Sequence, residues 1–228
     1  MTCPLAMKNS NGVVESQNVE KHGVRVSSME LAASNSELPA NFGEVVKGIY
    51  RSSFPQPWNL PALKGLGLKT IITLVEEPYT QSHEEFLKAN GILHHRIVIL
   101  ANKDPAVKTP ECVMNRVLEI LLNKSNHPIL IHCNKGKHRT GCVSACFRKL
   151  QGWDMRDVIN EYIHYSCPKS RGLDEVFIKE FDPSKLSTLV QISGAKSWHS
   201  GDSSKVQNEE RTSSNRLIQP PRKGIRVS

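Results

Sequence analysis

The chain has 228 residues, a formal net charge of +8 and a hydrophobic content of 38%. That length suits one domain of ordinary size with tails, and the apolar fraction is low for a chain packed from end to end. No apolar run reaches 18 residues and no basic-then-apolar leader opens the sequence, so neither a membrane span nor a signal peptide is expected.

Charge is unevenly shared. Residues 41–182 hold 19 Lys/Arg against 15 Asp/Glu, residues 183–228 hold 8 against 3, and residues 1–40 hold 3 against 4. The basic excess suits anionic ligands. A basic tail alone is a weak signal for nucleic acid, and nucleic-acid binding is not expected. The six cysteines include no CxxC pair, a pattern that points to reduced thiols and to the cytosol or the nucleus.

Residues 1–40 are rich in Ser, Asn, Glu and Val without a sustained period and read as a disordered tail. The ordered domain is expected from Asn41-Phe42-Gly43, with a strand pair or extended segment over Glu44 to Arg51. Pro55, Pro57 and Pro61 break regular structure, and a short helix fits Leu60 to Leu66. Lys69 to Val75 is a β-branched run that suits a strand buried on both faces.

Ser82-x-x-Glu85 fits a capping box and Gly91 a helix stop, which predicts a helix over 83–90. The next strand is expected over His95 to Leu100. After a polar loop, Thr109-Pro110-Glu111 reads as an N-cap, a proline at the first helical position and an acidic first turn, opening a helix to about Asn123. Ile129 to His132 is a buried strand. A helix follows from Arg139 or Thr140 to near Gly152, another capped by Asp154 runs to about Tyr165, and a last one spans Leu173 to Phe181. Residues 183–228 read as a disordered basic tail. Strands alternating with helices predict an α/β sandwich with a mainly parallel central sheet.

The chemistry concentrates after the strand at Ile129. Cys133 and Arg139 are separated by five residues in Asn134-Lys135-Gly136-Lys137-His138. A loop of that length can curl so that its N–H groups point inward around a tetrahedral phosphate. Cys133 is then the candidate nucleophile, because inward N–H groups, the following helix dipole and Arg139 all favour the thiolate. Arg139 offers a bidentate fork that lysine lacks. Thr140 can donate to the sulfur and ease its departure, and His132 is expected to hold the loop by hydrogen bonds. Gly136 permits a backbone turn that other residues resist. Zinc ligation by His132, Cys133 and His138 is disfavoured, because neighbouring residues do not readily converge on one ion.

The string His132-Cys133-x5-Arg139-Thr140-Gly141 resembles the signature of the protein-tyrosine-phosphatase superfamily. With Arg148-Lys149-Leu150-Gln151, Tyr50-Arg51-Ser52, Glu77-Pro78-Tyr79, Asn102-Lys103-Asp104-Pro105 and Glu161-Tyr162, residues 41–182 are similar to the plant and fungal atypical dual-specificity phosphatases. The resemblance implies a protein-tyrosine-phosphatase-like sandwich and a metal-independent enzyme without cofactor. It further implies a phosphocysteine intermediate and action on the 5-diphosphate of inositol pyrophosphates. Phosphoproteins are the alternative substrates, and a phosphate-binding module without turnover is the non-enzymatic alternative.

The resemblance also points to a general acid about thirty residues upstream. Asp104, 29 residues before Cys133, fits that position, although the family more often carries Glu there. A turn-capping role for Asp104 before Pro105 is the competing reading. Asn102, Lys103 and Lys108 are expected to face the substrate from that loop. Asn134, Lys135, Lys137 and His138 are expected to line the rim beside Arg139, where positive charge would meet a crowded polyanion.

Overall fold

The computed structural model describes residues 37–199. Five strands form one sheet: β1 (Gly43–Val46), β2 (Ile49–Ser52), β3 (Thr70–Thr73), β4 (Leu93–Arg96) and β5 (Ile129–His132), in the order β1-β2-β5-β3-β4. β1 pairs antiparallel with β2, and every other pairing is parallel. The helices are α1 (Leu60–Lys64), α2 (Gln81–Ala89), α3 (Glu111–Leu122), α4 (Arg139–Gln151), α5 (Met155–Ser166), α6 (Gly172–Glu180) and α7 (Ser187–Ser193).

β5 explains itself chemically. Its four residues are fully buried, and successive side chains alternate between two cores. Ile129 and Ile131 enter the larger core with Val117, Leu121, Val143 and Phe147, whereas Leu130 enters a smaller one with Leu63, Ile71 and Leu87. Each such side chain contributes about 1.5–3 kcal/mol by leaving water, which holds β5 at the sheet centre. The C-terminal ends of β2, β5 and β3 therefore share one edge, where open α/β sheets place ligands.

Several sequence expectations shift. β4 begins two residues earlier than expected. Thr80, not Ser82, is the N-cap of α2, and the predicted capping box does not form. Thr109 does not cap α3; its hydroxyl accepts from Leu100 N at 3.0 Å, and Pro110 takes the cap position. The expected tail from residue 183 is a correction in part: Pro183–Leu186 forms a 3₁₀ turn and α7 follows. Leu186, Val190 and Ala195 bury their apolar surface in the larger core, with Trp198 packed against it. The folded unit thus reaches at least His199, and begins by Glu37, whose carbonyl accepts from Asn59 Nδ2. The expected disorder of residues 1–36 and 200–228 concerns residues outside those described.

Cys112, Cys133, Cys142 and Cys146 are free thiols. Among the described residues no helix is long and apolar enough to cross a membrane.

Candidate active site

Cys133 sits at the end of β5, buried, and α4 begins at Arg139. The residues between form a tight turn through Gly136, whose φ is +65°. A Cβ there would lie 2.5 Å from the Ser52 carbonyl carbon, so only glycine lets the loop rest on the end of β2. Gly141 is needed for a different reason: a Cβ would stand 2.9 Å from the Tyr162 ring, which packs against the first turn of α4.

No backbone N–H from Asn134 to His138 donates a hydrogen bond to another group among the described residues. Buried Arg139 Nε and Thr140 Oγ1 are likewise without partners. A run of unspent donors directly following a cysteine is what a phosphate nest requires, because an anion can satisfy several of them at once.

His132 is fully buried directly before Cys133. Its Nε2 lies 2.6 Å from the Tyr79 hydroxyl and 2.9 Å from Thr73 Oγ1, which in turn contacts His94 Nε2 at 2.9 Å. Burial pushes the imidazole down to about 3, so it is neutral at physiological pH. The Tyr79 ring stacks on His94 at 4.4 Å and on His83 at 4.6 Å. These bonds tie His132, the residue before Cys133, to β3 and to the segment that follows it.

The expected rim residues divide. Lys135 is exposed. Lys137 Nζ donates to Cys167 O at 2.6 Å, and His138 Nε2 lies 2.6 Å from Lys169 O. Both side chains thus tie the loop to the segment after α5. Asn134 Nδ2 donates to Glu77 Oε1 at 2.6 Å, and that bond, with Arg139 close by, holds the Glu77 carboxyl below its ordinary range.

The upstream loop departs more from expectation. Asn102 is buried and does not line the site: its Nδ2 donates to Asp174 Oδ1 at 2.8 Å, and the Tyr162 hydroxyl donates to Asp174 Oδ2 at 2.6 Å. A buried carboxylate needs such donors, which is why the amide is drawn inward. Lys108 pairs with Glu180 at 3.2 Å on the surface, away from the loop's own contacts. Lys103 is exposed. Asp104 is exposed too, and its Oδ1 accepts from Ala106 N at 2.9 Å, the turn-capping arrangement.

Sequence reasoning assigned no role to Arg51 or Asn41. Arg51 is buried on β2, and its Nη2 donates to Gly136 O at 2.9 Å; Asn41 Nδ2 donates to the same oxygen at 2.9 Å. The available signal was a lone arginine inside an otherwise buried strand.

The sequence profile of the Tyrosine phosphatase family matches residues 38–199, the same span as the folded unit. The chain belongs to the tyrosine phosphatase family. Within this family, the chain is 44% identical over 153 residues to inositol diphosphatase SIW14 of Saccharomyces cerevisiae, covering 67% of this chain and 54% of that protein. The chain thus spans about half the length of that relative. It is 43% identical over 151 residues to inositol diphosphatase DSP1 of Oryza sativa subsp. japonica, covering 66% and 68%. The fold superposes on the crystal structure of the core catalytic domain of the PP-IP phosphatase SIW14 from S. cerevisiae with a TM-score of 0.67. That match is 40% identical and covers 72% of this chain and 99% of that one. A tyrosine phosphatase-family sandwich with a mainly parallel sheet is therefore the architecture of this protein, as the resemblance in its motifs implied.

Proposed function

We propose that this chain is a cysteine-dependent phosphohydrolase that removes the β-phosphate of inositol pyrophosphates. The observation that carries the reading is the loop itself: the backbone N–H groups from 134 to 138, between Cys133 and Arg139, are unspent, as are Arg139 Nε and Thr140 Oγ1 at its exit. The names of the yeast and rice relatives as inositol diphosphatases support the choice of substrate.

In the first step the Cys133 thiolate attacks the terminal phosphorus. The P–O bond of the anhydride breaks, and the departing phosphate oxygen takes the electron pair. Arg139 and the nest N–H groups hold the equatorial oxygens as charge builds there. In the second step water attacks the phosphocysteine, the P–S bond breaks, and Thr140 donates to the returning thiolate. The nucleophile is supplied by the chain, so neither step calls for a metal or a cofactor. Exposed Lys135, with Lys137 and His138 beside it, suits the remaining phosphates of a crowded polyanion. A thiolate nucleophile works in a reducing compartment, and we place the enzyme in the cytosol or nucleus on that ground.

The second reading is a phosphatase of phosphotyrosine or phosphoserine/threonine proteins, favoured by the family to which the chain belongs. Side-by-side kinetics on 5-diphosphoinositol pentakisphosphate and a phosphotyrosine peptide separate the two. The proposal expects kcat/KM at least tenfold higher for the inositol pyrophosphate. The reverse order would install the protein-phosphatase reading.

A further inference from the structure

Among the described residues Arg51 heads the fully buried side chains by size, 1% exposed, in the strand Ile49-Tyr50-Arg51-Ser52. It lies directly opposite Ile131 of β5, two residues before the nucleophile. Its guanidinium stacks on the Tyr165 ring at 3.7 Å, and Nη2 reaches Gly136 O. Nε and Nη1 are buried with no partner. Among the described residues no carboxylate lies within ion-pair distance; Glu161, the acid that acts on it most, is bonded to Arg148 Nε at 2.9 Å. A buried cation without a direct counter-ion is costly, by several kcal/mol in order of magnitude, and persists where something else gains from it.

What gains from it lies on the other side of the loop. Gly136 O accepts from both Arg51 Nη2 and Asn41 Nδ2, and Asn41 adopts a left-handed φ of +56° to serve that oxygen together with Tyr165 O at 3.2 Å. The Gly136–Lys137 peptide is trans, so an anchored carbonyl aims the Lys137 N–H the opposite way, away from the two donors. Two donors on one acceptor thus fix the polarity of the nest. The charged and titratable groups around Arg51 are Glu161 and Tyr165 on α5, Arg148 on α4, and Cys133 at the end of β5. Arg148 is paired with Glu161, so the acidic groups of that set left facing Arg51 are the Tyr165 phenol, on whose ring it stacks, and the Cys133 thiol. Cys142 on α4 is a further thiol near Cys133, and burial pushes it well up, so it supplies no competing negative charge.

We propose that Arg51 is a positioning residue for catalysis, a second buried guanidinium that locks the Gly136 peptide and favours the Cys133 thiolate from behind the phosphate loop. The inference rests on the reading of Cys133 as nucleophile. It extends that reading by assigning the charge of the site to two arginines with different tasks: Arg139 binds the phosphate, and Arg51, without touching it, anchors the loop and lends its charge to the thiolate.

The test follows the pH dependence of Cys133 alkylation by iodoacetamide in the full chain, with modification localised by mass spectrometry, together with vanadate inhibition. Arg51→Met should move the alkylation midpoint up by about one pH unit, a roughly tenfold lower rate at pH 6, and weaken vanadate at least tenfold. Arg51→Lys keeps the charge but not the fork, and should leave the midpoint in place while weakening vanadate. Asn41→Ala should likewise weaken vanadate several-fold without moving the midpoint. A wild-type midpoint in Arg51→Met overturns the proposal, and a wild-type Cys133 unreactive at pH 6 overturns the nucleophile reading instead. Should Arg51→Met fail to fold, the Arg51 Nε resonance of the wild-type chain decides. It should shift with the alkylation midpoint and lose that shift in Cys133→Ser; a resonance that moves identically in both proteins contradicts the proposal.

Discussion

The Tyr79 hydroxyl stands 2.6 Å from Nε2 of His132, the residue immediately before Cys133. His132 is neutral, and two hydroxyls, those of Tyr79 and Thr73, converge on that one nitrogen. When Nε2 accepts from the Tyr79 hydroxyl its one lone pair is used and the proton sits on Nδ1, on the Cys133 side of the ring. Tyr79→Phe removes the shorter of the two bonds and keeps the ring stacked on His94. It should lower kcat about tenfold while costing only about 1 kcal/mol of stability. Steady-state kinetics and urea unfolding of the same variant check both halves; an unchanged kcat contradicts the positioning role of the pair.

Asp104 invites a substitution that separates two roles. Asparagine can still accept from Ala106 N, so Asp104→Asn preserves the turn and removes only the titratable proton. An aryl phosphate with a poor leaving group should then turn over at least ~10-fold more slowly, whereas a phosphoanhydride, whose leaving group is a phosphate, should lose less than about threefold. Equal, negligible losses on both substrates would make Asp104 a turn cap and nothing more.

Asn102 belongs to the frame and not to the mouth of the site. Removing its amide strips one donor from the buried carboxylate of Asp174, which also receives the Tyr162 hydroxyl. Asn102→Ala should cost about 1–3 kcal/mol in urea unfolding and leave KM within twofold. A variant of unaltered stability with a raised KM would return Asn102 to the substrate.

His132 also links stability to pH. Its folded-state value of about 3 lies below the ordinary 6.5, so the unfolded chain binds a proton that the folded chain refuses between those values. Stability is therefore fully present above about pH 6.5 and falls as pH drops toward 3. Burial also lowers His94 and His127, and the Glu77 carboxyl is lowered by Asn134, so all act in the same direction. Urea unfolding should show a loss of about 2 kcal/mol from His132 alone between pH 7.5 and pH 5. Equal or greater stability at pH 5 would contradict a buried neutral imidazole.

Much of this could be read from the chain because it rested on local pattern. The β-branched run at Thr70–Thr73, the apolar strand at Ile129 and the Cys133–Arg139 spacing each announce their role within a few residues. What stayed hidden depends on partners far away in sequence. Thr109 looks like a helix cap until Leu100 claims its hydroxyl, and Asn102 looks like a substrate ligand until Asp174, 72 residues later, claims its amide. Residues 183–199 are polar on average, and only a few spaced apolar side chains betray that they close the larger core. Arg51 was hidden most thoroughly, since its meaning lies in a carbonyl 85 residues away.

The central claim is that Cys133 breaks a phosphoanhydride of an inositol pyrophosphate. Its most direct test is phosphate release from 5-diphosphoinositol pentakisphosphate in the presence of a chelator, comparing the wild-type chain with Cys133→Ser. The account predicts full turnover by the wild type and its abolition in Cys133→Ser, which should still bind phosphate. Turnover surviving in Cys133→Ser, or no release by the wild type, would contradict it.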